Sequence, residues 1–307
     1  MPSVRAIEFT EYGSSTVMHV ADVPEPHAGP GHIRIAVKAS GVAPGEIRLR
    51  TGAMRAVRPV TFPFRTGFDA AGVVDEIGEG VSDVQAGAEV FGWSDFSVRG
   101  TNAEFAVLAA WAPKPHRWSW EEAGGAGGAV ETSTRVLDRL AVTTGDTVLV
   151  HGAAGGTGAV TVQFAVARGA TVIGTASEAN HDFLRSLGVT PTTYGPGLVG
   201  RVRALAPVGV NSVIDCAGGS LSDLVEIAGD PSRVVTIADM TAAAHGVHLS
   251  SGVTDALAVQ GLTAAVALVE EDRLRIPVAA AFPFTEIVAA HDLIETRHAR
   301  GKVVLVN

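Results

Sequence analysis

Apolar and polar positions alternate in two ways along this chain. Over roughly the first 110 residues the period is two. Ile33-Arg34-Ile35-Ala36-Val37-Lys38-Ala39 alternates as a half-exposed strand does, and Ala70–Ile77 and Glu104–Leu108 read as further strands. Pro24, Pro26, Pro30, Pro44, Pro59 and Pro63 punctuate this segment with turns. The pattern predicts a β-rich unit with few helices. From Ser119 it turns helical, and Ser119 followed by Glu122 is a capping-box signature. Short apolar runs then alternate with helical stretches: Thr147–Val150, Ala159–Ala167, Thr171–Ala176, His181–Leu187 up to Gly188, Ser212–Asp215 and Arg233–Ile237. Strands alternating with helices predict a parallel, doubly wound α/β sheet. The alanine- and valine-rich stretch 256–269 reads as a packed helix. The tail from Phe282 to Val306 reads as one helix and one closing strand. A last strand returning to the first unit would leave a ligand cleft between two domains.

The richest segment is Thr147 to Gly158, a buried strand running into a glycine-rich turn that opens a helix. Such a turn aims backbone N–H groups and the positive end of a helix dipole at an anion. Gly152 allows the tight turn, Gly155 and Gly156 let backbone approach a pyrophosphate, and Gly158 lets the helix pack closely. Ala154 and Thr157 complete the cradle. Its place in a strand–helix–strand series points to a dinucleotide.

Bulk properties narrow the classes. The chain has 307 residues, enough for two cores, and 47% apolar against 18% charged residues marks a globular protein. A net charge of −9 with no basic run argues against nucleic acid or an anionic membrane as partner. No apolar stretch is long and uncharged enough to span a bilayer, and Met1–Glu8 lacks a secretory pattern. Cys216 is the only cysteine, which excludes an intrachain disulfide and a cysteine zinc cluster and fits a reduced, cytoplasmic setting.

Several ordered motifs carry a resemblance over essentially the whole chain: Gly41-Val42-Ala43-Pro44, Gly67-Phe68-Asp69-Ala70-Ala71-Gly72-Val73-Val74, Val90-Phe91-Gly92, Val148 to Gly156, Ala176 to Gly188, and Arg300-Gly301-Lys302-Val303-Val304-Leu305. Together they resemble the medium-chain dehydrogenase/reductase superfamily, and within it the zinc-free NADPH:quinone oxidoreductases, the branch of zeta-crystallin. The resemblance implies a GroES-like β domain at 1–117, completed by about 275–307, and a Rossmann domain at 118–274. It also implies a nicotinamide in the cleft and a homodimer formed by edge pairing of Rossmann sheets.

Zinc-dependent members of this superfamily place ligands where this chain has Ala43, Phe68 and Ala129, none of which offers a lone pair. The four-cysteine structural lobe is missing. His245 and His248, flanking Gly246-Val247, are expected to be surface histidines in a loop. Metal is therefore expected to be absent. A quinone or conjugated enone suits such a site, because its reduction leaves an oxyanion that needs only a donor or a proton.

The second strand ends Thr175-Ala176-Ser177 without the acid typical of NAD sites, which permits a 2′-phosphate. Ser177 and Asn180 could bond that phosphate, and Tyr194 resembles a family position beside it; the alternative for Tyr194 is a loop aromatic packed on the sheet. Glu178 opposes the phosphate, and Ala179 stands where relatives often carry a basic residue. NADPH is favoured over NADH.

Relatives carry Asn where this chain has Ala43, and Glu46 could replace the lost polarity as proton donor; the alternative is a solvated loop glutamate. Thr132, at the start of a helix that faces the nicotinamide in relatives, matches a cofactor-contacting position; the alternative is back-bonding within the helix. Phe68 and Trp93 could shape an aromatic acceptor pocket. Cys216, expected to be an inert thiol, borders Ala217 and Gly218 beside the cofactor ribose, and Ile237 and Lys302 complete the cofactor-binding set. Arg48, Arg50 and Arg99 could clamp an acidic substrate. The competing functions are a pathway-specific enoyl reductase, such as one tailoring a polyketide, and a non-catalytic NADPH-binding protein.

Overall fold

A computed structural model describes residues 3–56, 58–95 and 98–307. Met1 and Pro2, the first residues of the stretch read above for a leader, lie outside the described residues. The chain divides into two compact units, residues 1–128 with 276–307, and residues 129–275.

The N-terminal part contributes β1 (Ser3–Phe9), β2 (Met18–Pro24), β3 (Ile33–Val42), α1 (Pro44–Arg50), β4 (Phe64–Arg65), β5 (Asp69–Ile77), β6 (Glu89–Trp93), β7 (Phe105–Leu108) and β8 (Ala110–Pro113). The helix α2 (Trp120–Arg139) follows. The capping box forms as the spacing predicts: Ser119 N donates to Glu122 Oε2 at 2.9 Å, and Glu122 N donates to Ser119 Oγ at 3.2 Å. The α1 helix departs from the expected loop. Pro44 stands at its first turn, where a missing N–H costs nothing.

The second unit holds β9 (Thr147–His151), α3 (Gly156–Ala167), β10 (Thr171–Thr175), α4 (His181–Arg185), β11 (Thr190–Thr192), α5 (Leu198–Leu205), β12 (Ser212–Asp215), α6 (Leu221–Ala228), β13 (Val234–Thr236), β14 (His248–Leu249) and α7 (Gln260–Glu270). Its six strands pair in parallel in the order β11-β10-β9-β12-β13-β14. The chain winds outward from β9 to one edge, then restarts beside β9 and winds to the other. The reversal lies between β9 and β12, where doubly wound sheets bind ligands beyond the strands' carboxyl ends. Pro191 sits in the edge strand β11, where a missing donor is tolerated. Leu149, Leu198, Val213, Leu224 and Val234 pack into the core against this sheet.

The last residues return to the first unit as β15 (Val278–Pro283), α8 (Ile287–Glu295) and β16 (Lys302–Val306). The alternation in β15 is carried mostly by alanine and does not show in the sequence. A seven-stranded sheet runs β15-β16-β3-β5-β6-β8, with β7 also on β3; a smaller sheet runs β2-β1-β4. Ile7, Phe9, Val42, Phe284, Ile287 and Leu305 form one core there.

The start of α2 comes unusually close to the sheet. A Cβ on Gly124 would lie 2.6 Å from Ala39 Cβ, and one on Gly127 would lie 2.5 Å from the Gly92 carbonyl oxygen. Only glycine fits there. Gly127→Ala is expected to lose about 1–3 kcal/mol of stability through overpacking, read as a lowered melting temperature.

Candidate active site

The turn after β9 is built by glycine. Gly152 has φ +78°, and a Cβ on Gly158 would stand 2.2 Å from the Gly152 carbonyl oxygen. The N-terminus of α3 thus abuts the turn's own backbone. The first helical bond is Ala159 N to Gly155 O at 2.9 Å. The N–H groups of Gly156, Thr157 and Gly158 precede it and have no helical carbonyl to meet. No acidic residue occupies that first turn. A Cβ on Gly155 would meet only the Gly152 oxygen, at 3.4 Å. Ala154 is buried beside it. Uncapped donors at the start of a 12-residue helix, with space in front, fit a phosphate.

A second loop meets this turn. A Cβ on Gly152 would lie 2.9 Å from Ala217 Cβ. The fully buried Asp215 orders that loop: its Oδ1 accepts Ala217 N at 3.0 Å and Gly218 N at 2.8 Å, and its Oδ2 accepts Thr236 Oγ1 at 2.7 Å. Ile237 N donates to the Asp215 carbonyl at 2.9 Å. The structure therefore gathers Gly152–Gly158, Cys216–Gly218 and Ile237 at the carboxyl ends of β9, β12 and β13. Burial first, then the Asp215 carboxylate, push the Cys216 thiol pKa up, against a bond to Thr161. The thiol stays protonated, as expected of an inert cysteine.

At the end of β10, Asn180 Nδ2 donates to Ser177 Oγ at 3.2 Å. Tyr194 is 55% exposed, which overturns the packed alternative. Its loop is braced by Arg201, which donates to the carbonyls of Thr193, Tyr194, Gly195 and Pro196. No sequence pattern flagged Arg201.

Thr132 lies in the middle of α2, not at a helix start. Its hydroxyl donates to Glu131 Oε2 at 3.0 Å and accepts from Arg135 at 3.3 Å, so it does not back-bond. Thr134 does, to the Val130 carbonyl at 2.9 Å. His248 is on β14, with Nε2 at 3.0 Å from both Asp255 carboxylate oxygens, rather than in a loop. No group of three or more His, Cys, Asp or Glu side chains suited to a metal occurs among the described residues. No helix of the described residues is long and apolar enough to cross a membrane.

In the first unit Ala43 is the N-cap of α1. Phe68 and Trp93 stack with centroids 6.4 Å apart at 19°, and the Arg99 guanidinium lies over Phe68 at 5.5 Å. Glu46 is 3% exposed, which overturns the solvated-loop alternative. Its Oε1 accepts Gly67 N at 2.9 Å, with Arg99 at 4.0 Å and His291 at 3.7 Å. Arg50 is buried and pairs with Glu295, which takes it out of a substrate clamp. Lys302 is buried with its ammonium 3.6 Å from Asp69 Oδ2.

Two family models match the chain. One, described as an alcohol dehydrogenase GroES-like domain, covers residues 29–139; the other, described as a zinc-binding dehydrogenase, covers 194–305. A probable quinone oxidoreductase of Leishmania amazonensis is 34% identical over 238 residues, which is 75% of this chain and 68% of the relative. The quinone oxidoreductases of Rattus norvegicus and Mus musculus are 37% identical over 177 residues. That stretch is 56% of this chain but 53% and 52% of theirs, so the chain spans about half the length of these relatives. A solved mycobacterial protein complexed with NADPH has a TM-score of 0.81 at 26% identity, covering 99% of this chain and 100% of that one.

Two substitutions test the local geometry. Gly155→Asp puts a carboxylate in front of uncapped donors and is expected to weaken NADP+ binding at least about tenfold by steric block and repulsion, measured by calorimetry. Glu46→Ala leaves the buried Gly67 N–H without an acceptor and is expected to cost about 1–3 kcal/mol. Glu46→Gln keeps an acceptor and should retain most of that stability in thermal melts.

Proposed function

We propose the following function for this chain, which belongs to the medium-chain dehydrogenase/reductase superfamily, in its quinone oxidoreductase branch: it is an NADPH-dependent reductase that delivers hydride to a quinone or related conjugated carbonyl without a metal ion. The observation that carries the reading is the glycine turn at the start of α3, whose first N–H groups are uncapped and which lies at the sheet's reversal point. A bound reduced nicotinamide supplies the hydride, and the protein supplies position and field.

Each residue has a part in that reading. Gly156, Thr157 and Gly158 hold the pyrophosphate by backbone donors. Ala217, Gly218 and Ile237 line the ribose side, on a loop that Asp215 keeps in place. The end of β10 carries no acid, and Ser177 and Asn180 offer polar groups to a 2′-phosphate, with Tyr194 beside it. This favours NADPH, and a structural relative complexed with NADPH supports it. Thr132 contacts the nicotinamide in this reading.

Metal independence rests on the donor set. Ala43, Phe68 and Ala129 stand where zinc-dependent relatives place ligands, and none can bind a cation. Without a Lewis acid, an alcohol keeps its high pKa and resists oxidation. An activated acceptor needs less help, because its oxyanion can be met by a donor or by solvent. The stacked Phe68 and Trp93 suit a flat conjugated acceptor. Glu46 takes a positioning part here, holding Gly67 and hence Phe68, rather than acting as proton donor. Ala43, in place of a hydrogen-bonding residue, favours a second reading in which the acceptor is a specific conjugated enone. The reading also includes a homodimer, which light scattering tests.

The assay is NADPH oxidation at 340 nm against a panel of quinones and conjugated enones, with and without a chelator. Turnover with at least one quinone, unaffected by chelation, is expected. Silence across the panel while NADPH still binds would support the non-catalytic alternative instead.

A further inference from the structure

We infer that His151 is a positioning residue for the dinucleotide: its Nδ1 accepts the Thr175 hydroxyl, and this fixes Thr175 Oγ1 as the acceptor for the first N–H of the glycine turn. The inference rests on the cofactor reading above and adds a residue that no motif assigns.

The argument is a count of protons. His151 ends β9 and is buried, with Nδ1 2.8 Å from Thr175 Oγ1. The same oxygen accepts Gly152 N at 3.0 Å, and the Thr175 carbonyl accepts Ala153 N at 3.0 Å. Thr175 therefore holds both N–H groups at the entry to the turn. A threonine hydroxyl has one hydrogen. With Gly152 already donating to Oγ1, that hydrogen needs an acceptor, and His151 Nδ1 is the acceptor within reach among the described residues. The ring must then carry its proton on Nε2. On the other side, the His151 carbonyl accepts Cys216 N at 2.9 Å, so the same residue ties the turn to the Cys216–Gly218 loop.

A proton added to Nδ1 would destroy this arrangement. Two donors would face each other, and the hydroxyl would have to turn away with nowhere to bond. The groups facing the ring are Thr175 on β10, Asp215 opposite it on β12 and Asp223 on α6. Burial lowers the imidazole pKa, while the two carboxylates pull the other way and lose. The ring is neutral at neutral pH. The unfolded chain binds the proton first, so the stability the neutral ring contributes is present above pH about 6.5 and declines as pH falls below it, while the turn keeps its geometry until the folded ring is itself protonated at lower pH.

Four proteins decide the matter: wild type, His151→Asn, His151→Leu and Thr175→Val, each checked by thermal melting. The Asn amide oxygen can stand near the place of Nδ1, but it does not titrate. The readouts are NADP+ affinity at pH 8, with NAD+ as a second probe, and melting temperature from pH 8 to pH 5.5. At pH 8, wild type and His151→Asn are expected to bind within about twofold of each other, and His151→Leu and Thr175→Val about threefold to tenfold more weakly. Toward pH 5.5, the melting temperature of wild type should fall relative to that of His151→Asn, because only the unfolded wild-type chain gains the imidazole proton. Parallel pH profiles, or a nitrogen-15 spectrum showing Nδ1 protonated at pH 8, would overturn the inference while leaving the cofactor reading intact. If wild type binds neither NADP+ nor NAD+ at pH 8, the cofactor reading fails and this assignment fails with it. Should one variant not fold, the remaining variant and the spectrum still decide.

Discussion

A helix whose first N–H groups meet no carbonyl is the constraint on which the second unit is organised. Such donors, left in an apolar interior, would cost about 1–3 kcal/mol each. Here no side chain caps them and the first turn carries no acid, so they remain available to an anion. Gly158 brings the helix against the Gly152 carbonyl, and Gly155 keeps the approach clear. Around it, side chains on the neighbouring strand ends hold backbone in place: Thr175 on β10, Asp215 on β12 and Thr236 on β13. Their own hydrogen-bonding capacity is spent on the chain, which is how charged or polar groups survive burial.

The first unit solves a different problem with related means. Several of its charged residues are buried beside a partner. Glu46 meets Gly67 N and lies near Arg99 and His291, while Asp69 takes Gly128 N and the Lys302 ammonium. These contacts fix the segment carrying Phe68 against Trp93. In the proposed function, the stacked aromatics serve the acceptor and the glycine turn serves the cofactor, which carries the reactive chemistry.

Much of this was legible in the sequence, for identifiable reasons. The strands β9, β10, β12 and β13 are short apolar runs bounded by glycine or polar residues, and the Ser119/Glu122 cap is a local motif with its own spacing. What escaped was non-local. Glu46 read as a loop residue because its burial depends on Gly67, Arg99 and His291, far along the chain; Pro44 at the first helical position was the available clue. The Asp215–Thr236 and His151–Thr175 pairs join strands that become neighbours only once the sheet forms. The resemblance to relatives places Thr132 at a helix start, whereas α2 already begins at Trp120 and carries the glycines that let it approach the sheet. The alanine strand β15 had too little contrast between its faces to register.

Calorimetric titration of the purified chain with NADPH, beside NADH, tests the central claim most directly. The account predicts saturable one-to-one binding, tighter for NADPH, with no dependence on added metal. Absence of binding to either nucleotide by a folded protein would contradict it.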